Sequence, residues 1–321
     1  MKLLNTSLLF LLAALTFNAC GDDENDYNLG TGKEEKVDPQ PTVTTVSIPD
    51  IEVPKLNSKN GSFVITHNAL LNSKTGEKGV NYRVEWDPQI HAPRWVCYRM
   101  YGKVVNGVMQ GTNAENTDRY VSSGSLDANS QYPNDPDIDS KYQFTSDPFR
   151  SSGYDHGHIC PSADRLCSSQ ANYQTFYMTN MMPQVNKFNA GIWAAMESKI
   201  RVWSRNYDTL YVCKGGTIDN EKYIIKYLGS GSNKIPVPKY FFMAVLGYKY
   251  NTKTKANEYS ALAFWIEHSS SISATDDLKK YTYNIRTLEG LTGLDFFPNL
   301  PDDVEEWVET LSEATIKSTW L

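Results

Sequence analysis

Apolar and polar residues alternate in SFVITH, VNYRVEW and RWVCYRMYG, all within residues 62–102. A period of two, carried by β-branched and aromatic side chains, predicts strands. The same signature returns in DTLYVCKGG, KYIIKYL, KYFFMAVLGYKY and YSALAFWIEH, and TFYMTNMMP reads as a strand that closes at Pro183. The run NAGIWAAMESKIRVWSR, residues 189–205, changes period. Its Ile192, Ala195, Met196, Ile200 and Trp203 fall at helical spacing and form one apolar stripe. LPDDVEEWVETL predicts a second helix, with acids in the first turn where the N-terminal dipole favours them. Residues 105–150 are mostly polar and carry the turn signals PNDPD and SDP. They predict a long surface excursion of the kind that often carries function. Strands and helices do not alternate regularly. The expectation is therefore an α+β fold, with a mixed, largely antiparallel central sheet and flanking helices.

The N-terminal pattern is different. Lys2, an apolar run and a few small residues precede Cys20. That is the shape of an export signal, too short and wrongly flanked for a membrane span. Because it ends on cysteine it resembles a bacterial lipoprotein signal, although Phe17 stands where such signals carry a small aliphatic residue. The expected division is a signal at 1–19, a lipid anchor at Cys20 with a flexible tether through residue 60, and a globular domain over 61–321. VTTVSI, residues 43–48, is a possible short strand within the tether. The following GDDEN resembles acidic tags of surface lipoproteins, so the expected location is the outer membrane or cell surface. A plain signal cut near Ala19, giving a secreted or periplasmic protein, is the alternative.

Charge alters this picture little. The formal net charge is −6, and residues 21–39 hold seven acids against two lysines. From residue 40 onward, 28 basic residues face 30 acidic ones. A near-neutral domain does not advertise a polyanionic partner, yet one local positive groove would suffice. Cys97, Cys160, Cys167 and Cys213 would sit in an oxidising compartment, where disulfides are permitted. Three pairings are open, and buried thiols explain the two strand cysteines equally well.

Two segments carry candidate chemistry. YDHGHICPSADR places two of the five histidines around Gly157, directly after Asp155. Histidine is the usual general base near neutral pH. A surface turn would look the same, and the spacing of His156, His158, Cys160 and Cys167 suits no common zinc pattern well. On the predicted helix, Asn189, Trp193, Glu197 and Arg201 form a slowly drifting ridge. An amide, a carboxylate and a guanidinium on one ridge could hold a hydrated hard cation and a phosphate. An ordinary Glu197–Arg201 surface pair and an Asn189 cap are the plainer explanation.

Taken together, DHGHICP and the register of Asn189, Gly191, Trp193, Glu197 and Arg201 resemble the sugar-non-specific DNA/RNA endonucleases. These share a ββα-metal (His-Me finger) core. RWVCYRM and the tail LEGLTGLDFFPNLPDD add to the likeness, which covers roughly residues 60–310.

The resemblance implies a role for each matching position. His158 would be the general base. Asn189 would be the one direct protein ligand to Mg²⁺, with Mn²⁺ a possible substitute. Glu197 would hold metal-bound water, and Arg201 and Arg119 would handle phosphate. His156 stands where the family has an arginine, so phosphate binding there would fade with rising pH unless Arg150 or Arg165 compensates. The implied reaction is hydrolysis of DNA and RNA to fragments with 5′-phosphate ends. The resemblance to a lipoprotein signal adds a membrane partner through lipid at Cys20. Two alternatives stand beside this reading. One is a related metal-dependent phosphodiesterase acting on small nucleotides. The other is a non-catalytic surface lipoprotein that binds glycans or nucleic acid.

Overall fold

The computed structural model describes residues 39–41, 48–56, 61–72, 76–101, 104–105, 108–109 and 131–321. The expected signal, Cys20, most of VTTVSI, and Arg119 lie outside the described residues. Three long strands open the domain: β1 (Phe63–Asn72), β2 (Glu77–Asp87) and β3 (Ala92–Tyr101). A small hairpin follows, β4 (Val104–Val105) with β5 (Val108–Met109). Next come β6 (Asp155–His158), helix α1 (Ser169–Gln174), β7 (Met181–Gln184) and helix α2 (Ala194–Trp203). The chain continues through β8 (Thr209–Gly216), β9 (Ile224–Leu228), β10 (Ile235–Pro238), β11 (Tyr240–Asn251), β12 (Ala256–Glu267) and β13 (Thr282–Tyr283). It ends in helices α3 (Ile285–Thr292), α4 (Asp302–Glu309) and α5 (Glu313–Trp320).

Seven strands form one sheet in the order β1-β2-β3-β8-β11-β12-β13. Every pairing among the described strands is antiparallel. The expected α+β class holds. The period of two sorts side chains onto two cores. Val96, Tyr98 and Met100 point to the face that also buries Ile192, Met196 and Ile200 of the predicted helix stripe. Trp95 and Cys97 point to the other face, against Ile285, Leu288, Val304 and Val308 of α3 and α4. A strand covered on both sides can be apolar at nearly every position. That is why KYFFMAVLGYKY reads as a continuous run rather than a clean alternation.

Three sequence expectations change. TFYMTNMMP is a strand only from Met181, and a 3₁₀ turn occupies Met178–Asn180. The Asn180 side chain makes that turn. Its Nδ2 donates to the Thr175 and Cys160 carbonyls, and its Oδ1 accepts from Cys160 N. Helices α3 and α5 were not predicted. Residue 290 is glycine, and each helix is a few turns long, held by its caps Asn284 and Ser312. Finally, residues 50–52 lie within the expected tether yet pack on the sheet. Ile51 is buried in the second core, and Asp50 and Glu52 bind Arg83 and Arg99.

All four described cysteines are buried. Cys97 and Cys213 stand opposite each other in register on β3 and β8.

Candidate active site

The DHGH motif is strand β6, paired antiparallel to β7 with His158 opposite Met181 and Asp155 opposite Gln184. Three residues after β7 the chain enters a helical turn, Phe188–Trp193, which carries a non-helical kink at Gly191 and runs into α2. A hairpin followed by a helix thus brings the two sequence segments together. Gly157 lies mid-strand, opposite Met182. Its role is space: a Cβ there would come within 2.4 Å of the Gln184 side chain, which lies across it. His268 secures the join between β7 and the helix. Its Nδ1 donates to the Pro238 carbonyl at 2.9 Å, and its Nε2 accepts from Val185 N at 2.8 Å. Val185 O in turn accepts from Asn189 N at 2.9 Å.

The helix start is tied to β6 by polar contacts. Asn189 Nδ2 donates to Asp155 Oδ2 at 3.0 Å, and Asn186 Nδ2 donates to the same oxygen at 2.9 Å. With its nitrogen committed, the Asn189 amide has Oδ1 as its available acceptor. A longer bond, at 3.5 Å, runs from Trp193 Nε1 to the His158 carbonyl.

His158 keeps a partly exposed edge, but its Nε2 is enclosed and has no hydrogen-bond partner among the described residues. Phe176 meets the ring edge-on at 5.0 Å. Burial, reinforced by the charges of His156 and Lys214, lowers the His158 pKa to about 4. Its lone pair is therefore available throughout the neutral range.

Glu197 and Arg201 do not pair with each other. Glu197 Oε1 accepts from Lys214 Nζ at 2.6 Å, and that fully buried ammonium lies 4.7 Å from the Trp193 ring centre. Burial raises the Glu197 pKa against the opposing pull of Lys214. Arg201 Nη1 donates to buried Asp164 at 2.8 Å, and Tyr98 donates to the other Asp164 oxygen. Arg165 cannot stand in for the missing family arginine. It is fully buried and donates to the carbonyls of Asn81, Asp164 and Arg99. Arg150 is exposed and lines a surface hollow with Asp147 and Lys226.

His156, which stands where the family has an arginine, is held by two rings and a carboxylate. Its ring is sandwiched between Tyr132, stacked at 3.7 Å, and Phe149, stacked at 4.1 Å. Its Nε2 lies 3.1 Å from each Asp147 oxygen. Burial pushes the Asp147 pKa up, but the His156 hydrogen bond and charge outweigh it and hold the carboxylate below its usual range. Sequence reasoning missed Lys214, Asp164, Asp147, Tyr132 and His268. Lys214 alone had a signal, a lone charge within an apolar strand.

A family model for DNA/RNA non-specific endonucleases matches residues 61–303. The chain belongs to this family. It is 31% identical over 215 residues to a nuclease of Syncephalastrum racemosum, covering 61% of this chain and 65% of that protein. It is 29% identical over 157 residues to human mitochondrial endonuclease G, covering 47% of this chain and 51% of that protein. The chain thus spans between about half and two-thirds of the length of these curated relatives. Among solved structures, the EndoG/EndoGI complex contains a chain similar in fold, with a TM-score of 0.55 and 23% identity, over 68% of this chain and 84% of that one.

As an endonuclease-family centre, the donor set suits a hard divalent cation. An amide oxygen, with a carboxylate on the same helix, fits an ion that prefers oxygen and keeps most of its waters.

Proposed function

We propose that the chain is a Mg²⁺-dependent endonuclease that hydrolyses phosphodiester bonds in DNA and RNA without regard to sequence. The observation that carries this reading is the tie between the hairpin that holds His158 and the helical turn that holds Asn189, made by the Asn189–Asp155 bond of 3.0 Å. His158 accepts a proton from water, which attacks phosphorus in line. The Trp193 bond to its backbone and the edge of Phe176 hold the ring in place. Asn189 Oδ1 would hold the metal, and Glu197, fixed by Lys214, would orient water around it. Bound there, Mg²⁺ or Mn²⁺ supplies positive charge to the phosphate and the departing 3′-oxygen. Arg201, oriented by Asp164, faces phosphate as a permanent cation. The bond from phosphorus to the 3′-oxygen breaks, that oxygen takes a proton from solvent to leave as a hydroxyl, and the phosphate stays on the 5′ end. Contacts to phosphate carry little sequence information, which favours DNA and RNA alike.

The test is incubation of the purified domain with supercoiled plasmid and with RNA, in Mg²⁺ or in EDTA. Cleavage of both in Mg²⁺ alone, abolished in Asn189→Ala, is the expected result. Turnover confined to dinucleotides or small phosphodiesters would instead make it a phosphodiesterase, and binding without cleavage would end the enzymatic reading. For the N-terminus, we propose export and lipid attachment at Cys20. Labelled fatty acid should enter the wild-type chain and not Cys20→Ser.

A further inference from the structure

Away from this centre, a second histidine sits among acids. His67, on β1, is fully buried, its ring 4.6 Å from that of Tyr82 and 5.3 Å from that of Tyr177. Its Nε2 lies 3.0 Å from Asp135 Oδ2, and its Nδ1 lies 3.3 Å from Asp137 Oδ2. Neither ring nitrogen has a properly aligned hydrogen-bond partner. Asp135 is fully buried, takes Asp137 N on Oδ1, and takes the Thr179 hydroxyl on Oδ2. No lysine or arginine pairs with Asp135 or Asp137 among the described residues.

The electrostatics do not close without a cation. A neutral imidazole has one N–H and one lone pair, so it satisfies one of two facing carboxylates and turns its lone pair on the other. Asp135, fully buried and without a lysine or arginine partner among the described residues, is the costly one. A metal ion would supply positive charge here. Both ring nitrogens are enclosed without a hydrogen-bond partner among the described residues, which leaves a lone pair for an ion. One nitrogen and both carboxylates offer donor atoms within 4.8 Å of one another. The two short contacts use different ring nitrogens, so an ion on one nitrogen and its facing carboxylate would draw the second carboxylate in, and the Asp137 side chain, 57% exposed, has room to turn. The other ring nitrogen would then carry its proton toward the neighbouring carboxylate, as metal-bound imidazoles usually do.

We propose that His67, Asp135 and Asp137 form a second cation site that shares no residue with the Asn189 centre. Imidazole with two carboxylates selects a borderline ion of the Zn²⁺ class over Mg²⁺. The ion clamps the loop of residues 132–139 to β1. That loop also supplies Tyr132, which stacks on His156, and the Pro133 carbonyl that accepts from Met178 N. Access is from the Asp137 side, which is 57% exposed and borders a hollow lined by Thr66, Asn68 and Gln174.

The experiment uses the full chain carrying Asn189→Ala, so that the centre described above contributes no amide ligand. The protein is stripped with chelator, dialysed against Zn²⁺ or Mg²⁺ and then against buffer, and its metal content is measured alongside its melting temperature. Retention of about one equivalent of Zn²⁺ and of no Mg²⁺, with a rise in melting temperature on zinc loading, is expected. Adding Asp137→Asn, an exposed change that leaves the fold intact by circular dichroism, should abolish both effects. Failure to retain Zn²⁺, or equal retention by the double variant, overturns the site and leaves a ring proton as the balancing charge. Neither result bears on whether the wild-type chain cuts nucleic acid.

Discussion

His158 and His67 are both enclosed imidazoles beside aromatic rings, and their surroundings give them opposite characters. At His158 the charges that act on the ring are positive, from His156 and Lys214, and its Nε2 has no hydrogen-bond partner among the described residues. Burial and like charge together keep it neutral, which suits a base. Around His67 both nitrogens face acids, so the same ring becomes part of a cation site. Residue type alone does not set a histidine's chemistry. The sign of the charges that the fold brings to its two nitrogens does. Asp155 is three strand positions from His158 and would have raised its pKa had it faced the ring. Instead its Oδ2 collects the Asn186 and Asn189 amides.

The most severe way to break this contrast is His158→Ala. Turnover on plasmid should fall about 10²- to 10⁴-fold with unchanged circular dichroism, and cleavage at the wild-type rate would remove His158 as the base. Next is Lys214→Met, which strands Glu197 in a buried setting. Removing one partner of such a pair costs about 3–5 kcal/mol, so denaturant titration should show a large loss that adding Glu197→Gln partly restores.

A pH series sharpens the comparison. With the His158 pKa at about 4, the acid limb of kcat/KM should fall near 4 rather than near 6.5. The stability sign is also determined. The folded pKa values of His158 and His268 are depressed by burial, so the unfolded chain binds more protons below their ordinary pKa. Stability should therefore drop as pH falls from about 6.5 toward 4. An acid limb centred near 6.5 would show that His158 titrates as though exposed.

His156→Phe should keep the aromatic sandwich and leave Asp147 without its partner, for a loss of about 1–3 kcal/mol. A large rise in KM at unchanged stability would return His156 to phosphate binding. Gly157→Ala is the mildest of the set. Its new methyl must displace the Gln184 side chain, at about 1–3 kcal/mol by overpacking, and wild-type melting would show that Gln184 yields freely.

Much of this was legible in the residues. The strands and the α2 stripe follow from periods, which are local properties of the chain, and the segments holding His158 and Asn189 stand out through their resemblance to the endonuclease family. Partners separated by long stretches of chain were not. Lys214 reaches Glu197 because β8 runs beneath α2. Tyr132 and Asp147 reach His156 through a loop without periodicity. The Glu197–Arg201 pair, the plainer alternative in the sequence, gave way to Lys214 and Asp164 because those two charges are buried and a surface pair is screened.

The order of residues by itself thus determined which elements form and which side chains have the right chemistry. Only the tertiary structure decided which nitrogen faces which charge. Proton affinity and metal affinity depend on burial and on distances of a few ångströms, and those are set by contacts between residues remote in the chain.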